Sequence, residues 1–142
     1  MNAFAYFPAD IEADEAWHID PKDKLGLSEE KRQIAVLRDL HMCAPSIMVW
    51  AVPNGIRCSE WSARKAKREG LKAGTPDLTV VWNRGVAFVE MKDGTGMPDA
   101  NQREALNRLC RAGHHCGVFR TSESVLRWLK GIGAPVMLRD GL

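Results

Sequence analysis

Asp77, Glu90 and Lys92 are the residues whose types and spacing point to chemistry. Two carboxylates brought together repel unless a hard cation sits between them. Mg²⁺ is such a cation: it takes oxygen ligands and keeps several waters that a phosphate can displace. An ammonium beside that site orients an attacking water and holds charge building on a phosphate oxygen. Together these groups have the parts needed to hydrolyse a phosphodiester.

The surrounding text shows how they are positioned. Residues 78–82 and 86–91 are short runs rich in β-branched and aromatic residues, and Asn83-Arg84-Gly85 lies between them, so the stretch predicts an antiparallel hairpin. Side chains alternate along a strand. Glu90 and Lys92 therefore share one face, while Val89 and Met91 point to the packed core. Pro76 fixes its own φ and biases Thr75 towards an extended conformation, which sets Asp77 at the start of the first strand. The residue paired with Asp77 then lies near Glu90 or Lys92. Glu-x-Lys alone is common as a solvated pair. It gains meaning from Gly74-Thr75-Pro76-Asp77, the hairpin, and the following helix that carries Gln102.

The Pro76-Asp77 and Glu90-Met91-Lys92 pattern resembles the PD-(D/E)xK nuclease superfamily. Gly74-Thr75-Pro76-Asp77 with Gln102 resembles its VRR-NUC family, over roughly residues 28–120. The resemblance implies a restriction-endonuclease-like α/β fold, a mixed sheet flanked by helices, and Mg²⁺-dependent cleavage of DNA with Mn²⁺ able to substitute. It implies Asp77, Glu90 and the Met91 carbonyl as metal ligands, Lys92 as the group that positions water, and Gln102 pointing into the site. In that family the first helix also supplies an acid. Glu29 with Gln33 looks like the family's Glu-x-x-x-Gln, so Glu29 is chosen and Glu30 is the runner-up. Asn54-Gly55-Ile56-Arg57 resembles a family segment in which Arg57 reaches a DNA phosphate, and Asn54 is placed with it. Stand-alone members are small, typically viral, and associated with junction-like substrates. A homodimer acting on branched DNA, of phage or bacterial origin, is the corresponding expectation, with its interface near the Trp-bearing segments. Two rivals remain: a DNA-binding module that does not cleave, and a scaffold whose hairpin charges form an ion pair.

With 142 residues, 45% hydrophobic and 27% charged, the chain suits one compact domain with an ordinary core. Its longest apolar run, residues 47–53, is too short to span a bilayer, and the N-terminus lacks the pattern of a signal peptide, so a cytoplasmic address is expected. Cys110, His114, His115 and Cys116 match no justified zinc spacing, and reduced thiols are expected for all four cysteines. The net charge of +2 conceals an asymmetry: residues 1–30 hold eight acids and two bases, residues 31–142 ten acids and eighteen bases. A basic body around an acidic site suits a polyanionic substrate.

In chain order, residues 1–27 read as an acidic arm that packs on the body, packs on a partner, or stays mobile, and residues 28–142 as the nuclease-like domain. Ser28 caps a helix over residues 29–43, with Ile34, Leu37 and Leu40 as its buried stripe and Pro45 beyond its end. Residues 47–52 read as a buried strand that ends at Pro53-Asn54-Gly55. Residues 59–69 form a helix ended by Gly70. Its Arg64, Lys65, Lys67 and Arg68, with Lys72 beyond, are the candidate phosphate contacts, weighed against a merely solvated face. Pro98 or Asp99 opens a helix that stops at Gly113, and in it Gln102 could equally serve a capping box with Asp99. A strand over 116–120, a helix capped by Thr121 or Ser122, and a short edge strand over 135–138 complete the order helix, strand, helix, hairpin, helix, strand, helix.

Overall fold

The computed structural model describes residues 16–53 and 59–138. Its elements are β1 (His18–Ile19), α1 (Glu29–Cys43), β2 (Met48–Ala51), α2 (Glu60–Arg68), β3 (Leu78–Trp82), β4 (Gly85–Met91), α3 (Ala100–Arg111), β5 (His115–Phe119) and α4 (Ser122–Gly131). The strands form one mixed sheet in the order β1-β5-β4-β3-β2. The β2/β3 and β3/β4 pairs are antiparallel, while β4/β5 and β1/β5 are parallel.

The hairpin register places Leu78 opposite Val89 and Thr79 opposite Phe88, which brings Asp77, one residue before β3, level with Glu90. Leu78, Val80, Ala87, Val89 and Met91 then all face one way, are fully buried, and pack against Val36 and Leu40 of α1 and Val125, Leu126 and Leu129 of α4. The opposite face carries Phe88, Cys116 and Val118. There α3 lays Leu106 and Leu109 over the β4–β5 half, and Trp17 closes the cluster. Strand periodicity thus sorts the apolar side chains into one core on each side of the sheet. The Cys110 and Cys116 thiols, both free, are hydrogen-bonded at 3.2 Å in the second of these cores.

Each helix begins where side-chain chemistry allows. The Ser28, Ser59, Asp99 and Thr121 side chains each accept a hydrogen bond from a backbone N–H in the first turn of the helix that follows. Gly70 and Gly113, both at positive φ, follow the ends of α2 and α3.

Four expectations change. The buried stripe of α1 is Arg32, Val36, Leu40 and Cys43, and Ile34 is 56% exposed. Periodicity in apolar residues missed this rotation because an arginine occupies one inward position. Residues 48–51 form an edge strand rather than a buried one, with Met48 and Trp50 exposed, because β2 pairs with β3 alone. A short apolar run does not reveal how many neighbours its strand has. Residues 135–138 join no ladder: Pro135 lacks a donor, and Met137 N–H donates to the Cys43 carbonyl at 2.7 Å. Finally, residues 16–27, the described part of the acidic arm, pack on the body, one of the placements expected, but do so partly as a strand. Their β1 adds an unanticipated fifth strand, with His18 opposite Gly117.

Candidate metal centre

Three carboxylates converge at one end of the hairpin. Glu29 in the first turn of α1, Asp77 before β3 and Glu90 near the end of β4 each offer an oxygen, and these atoms lie within 4.8 Å of one another. Glu30 is exposed and is not part of the cluster. Helix geometry explains the choice between neighbours, since consecutive residues point about 100° apart and only one can face the sheet.

The backbone fixes these groups tightly. Asp77 Oδ2 accepts from Met91 N–H at 2.8 Å, which locks one carboxylate to the strand that carries the other. Met91, whose carbonyl was expected to join the site, ends β4 between Glu90 and Lys92, with its side chain buried in the core. Lys92 N–H donates to the Phe119 carbonyl at 2.9 Å, extending the ladder, and Lys92 Nζ stands 3.8 Å from Glu90 Oε1. Glu90 and Lys92 do share a face. Gln102 serves both roles considered for it: Oε1 accepts from Asp99 N–H at 2.9 Å to close the capping box, while Nε2 donates to Glu90 Oε1 at 2.9 Å. Gly74 permits this close approach. At φ +84°, a Cβ there would sit 2.5 Å from the Asn101 backbone, so the loop before Asp77 packs directly on the first turn of α3.

Glu90 is 1% exposed, and its Oε2 is buried without a hydrogen-bond partner. Burial, and then the neighbouring Asp77 charge, push its carboxyl up to about 9, against the pull of Lys92. Burial likewise raises Asp77 and Glu29. Such a cluster is poorly satisfied by protein alone. The orphaned oxygen and the all-carboxylate donor set fit a hard divalent cation, and Asp77, Glu90 and Glu29 are the residues able to hold it.

The remaining expected residues fall elsewhere. Arg64, Lys65, Lys67 and Arg68 are all exposed on α2, where Arg64 pairs with Glu60 at 3.5 Å and Lys65 with Glu69 at 3.1 Å. Lys72 is exposed beside a cleft next to Pro76. Asn54 and Arg57 lie outside the described residues.

Sequence reasoning missed a second buried polar cluster just behind the first. Arg32, 2% exposed, makes a bidentate pair with Asp23 at 2.7 and 2.8 Å and also donates to the Leu27 and Arg120 carbonyls. Arg120, 1% exposed, donates to the carbonyls of Asp20, Asp93 and Gly96. Asp20 in turn accepts from Arg120 N–H and from the Ser124 hydroxyl. The cluster ties the start of α1, which bears Glu29, to the loop after Lys92. No local signal marked it: the apolar spacing of α1 named Ile34, Leu37 and Leu40 as the inward stripe, and most partners of Arg32 and Arg120 lie far along the chain.

The VRR-NUC domain profile matches residues 28–123. The chain belongs to the VRR-NUC family. This is a family of nuclease domains, and its matched span takes in all three carboxylates, Lys92 and Gln102. A solved structure named VRR_NUC domain protein shares the fold at a TM-score of 0.60 and 23% identity, covering 82% of this chain and 96% of that one. No curated protein matches. Among the described residues of this VRR-NUC chain, no helix is long and apolar enough to cross a membrane.

Proposed function

We propose that the protein is a Mg²⁺-dependent endodeoxyribonuclease that hydrolyses DNA phosphodiesters at the carboxylate cluster, with Mn²⁺ able to substitute. The observation that carries this reading is the buried, partnerless Oε2 of Glu90, a residue clustered with the Asp77 and Glu29 carboxylates, with Lys92 alongside. Asp77, Glu90, Glu29 and the Met91 carbonyl would hold the ion. Once bound, it supplies a Lewis acid for a phosphate oxygen and lowers the pKa of a water.

The chain's own groups account for the rest. Lys92, fixed by its backbone bond to β5, holds charge on the phosphate oxygen and orients the water that attacks phosphorus as the bond to the leaving oxygen breaks. Gln102 engages Glu90 Oε1, which leaves Oε2 for the ion. Met91 N–H does the same for Asp77. Lys72 and the basic residues of α2, with Asn54 and Arg57, contact the DNA backbone.

The proposed substrate is branched DNA and the proposed assembly a homodimer. Each chain carries one carboxylate set, and a four-way junction presents its strands with two-fold symmetry to a two-fold pair of sites. Purified protein is incubated with a four-way junction and a matched duplex in EDTA, Ca²⁺, Mg²⁺ or Mn²⁺, and its mass is measured by light scattering. Cleavage in Mg²⁺ or Mn²⁺ alone is expected, faster on the junction and from a dimer. Binding without cleavage would instead identify a non-cleaving module. Equal rates on both DNAs, or a monomer, would remove the substrate and assembly while sparing the nuclease.

A further inference from the structure

Among the described residues, the sheet's second face is only half covered. Over β4 and β5 it lies under α3, but towards β2 it opens, and the strand register defines what is left there. Trp50 of β2 stands opposite Thr79 of β3, and Thr79 stands opposite Phe88 of β4. The result is a row across three strands that reads aromatic, threonine, aromatic. The next row on the same face, two residues along, holds Val52, Asp77 and Glu90, since Val52 N–H bonds the Asp77 carbonyl and Asp77 is level with Glu90. At the rise of a strand the two rows are about 7 Å apart. Trp50 is 44% exposed. Beside it runs a cleft of about 560 Å³ walled by Leu71, Pro76, Thr79 and Phe88, with Lys72 and Arg108 also in its lining. Pro76 of that wall directly precedes Asp77.

Trp50 exposed at the edge of this row, Phe88 half-buried in the cleft wall, and cations at the border match the two parts of a nucleotide: a planar base that stacks on a π-face and a phosphate that needs positive charge. We propose that this open half of the sheet is a base-stacking platform. On it, an unpaired nucleobase next to the cleaved phosphate rests on Trp50 and enters the cleft over Thr79 and Phe88, with its own phosphate against Lys72 and Arg108. The inference rests on the nuclease reading and defines its substrate class. Bases paired in a duplex are stacked on one another and cannot lie on a sheet face without being extruded. Strands with unpaired nucleotides at the cut, as at a branch point or a splayed end, meet the platform directly. The cations and the adjoining carboxylate row favour this occupant over a second copy of the chain, which the apolar Trp50 and Met48 alone would also suit.

A splayed-arm DNA of known cut position tests the idea with the full chain in Mg²⁺. The wild type, Trp50→Ala and Trp50→Phe are each assayed on this DNA and on a version that is abasic at the unpaired nucleotide beside the cut. Trp50→Ala is expected to lower kcat/KM about tenfold or more, the scale of one lost stacking contact. Trp50→Phe should keep most of the rate, and melting temperatures should not move. The abasic DNA should cost the wild type a similar factor and cost Trp50→Ala almost nothing more. Wild-type rates for Trp50→Ala, or losses that multiply, overturn the platform. So does a wild-type dimer that Trp50→Ala turns into a monomer in light scattering, because the face is then a contact between copies. If the wild type cuts DNA and these signs are missing, only the platform falls. If it neither binds nor cuts DNA with any metal, the nuclease reading falls as well.

Discussion

Two buried charged clusters sit side by side at the same end of the sheet, and they are built on opposite principles. In the arginine cluster, Arg32 and Arg120 meet Asp23 and a set of backbone carbonyls, so donors and acceptors match. In the carboxylate cluster three acids face one another, one oxygen has no partner, and among the described residues only Lys92 offers opposite charge. The first resolves its charges within the protein, and the second leaves them for a ligand. Because the satisfied cluster holds α1 and the loop after Lys92, it also holds the unsatisfied one in place.

The contrast predicts different losses from similar-sized changes. Arg120→Met keeps much of the side-chain volume but strands three carbonyl acceptors, one buried and two part-buried, and should cost about 3–5 kcal/mol of unfolding free energy in denaturant titrations. A loss under about 1 kcal/mol would mean the cluster is not structural. Lys92→Ala should act on rate instead. Cleavage is expected to fall roughly 100- to 1000-fold, the scale of one preorganised electrostatic group, with folding and DNA binding kept. Wild-type cleavage by this variant would end the assignment of Lys92.

Metal separates the clusters further. Asp77→Asn keeps an oxygen for Met91 N–H while removing a repelling charge, so its stability in EDTA should equal or slightly exceed the wild type's. Mg²⁺ at a hundred times its dissociation constant should stabilise the wild type by about 2.7 kcal/mol and leave the variant unmoved. A large drop in EDTA would place Asp77 in a structural ion pair. The gentlest effect per step is that of pH. The folded protein keeps Glu90 protonated up to about 9, where the unfolded chain has released that proton near 4.5, so the folded state holds the extra proton between those values. Stability without metal should therefore be greatest below about pH 4.5, with respect to this group, and decline towards pH 9. The slope is at most about 1.4 kcal/mol per unit, and Glu90→Gln should flatten it in thermal melts. Asp23 behaves oppositely. Its bond to Arg32 holds it down at about 2 against an ordinary 3.8, so its contribution is complete above pH 3.8 and is lost as pH falls towards 2.

The same contrast explains what was legible in the sequence. The hairpin could be read because its apolar text is local and its period is two, and that period is enough to put Glu90 and Lys92 on one face and Asp77 beside them. Gln102 was weighed as either a capping residue or a site residue, and its amide does both, one end to each task. The arginine cluster was opaque because its bonds join residues up to 104 positions apart, and nothing local marks Arg32 or Arg120 as buried. The edge position of β2 and the two-residue β1 were hidden for a related reason, since both depend on which strands lie next to them.

Arg32 donates to the carbonyl of a residue 88 positions later in the chain. During synthesis at about 5–20 residues per second, some 4–18 s separate the making of these two residues. Until β5 and residue 120 leave the ribosome, α1 has its apolar seat on β3 and β4 but not the Arg32 bond that fixes the turn next to Glu29. The last step in assembling the carboxylate cluster is thus timed by chain growth, and a nascent chain stalled before residue 120 would carry most of its acidic groups without a fully fixed site.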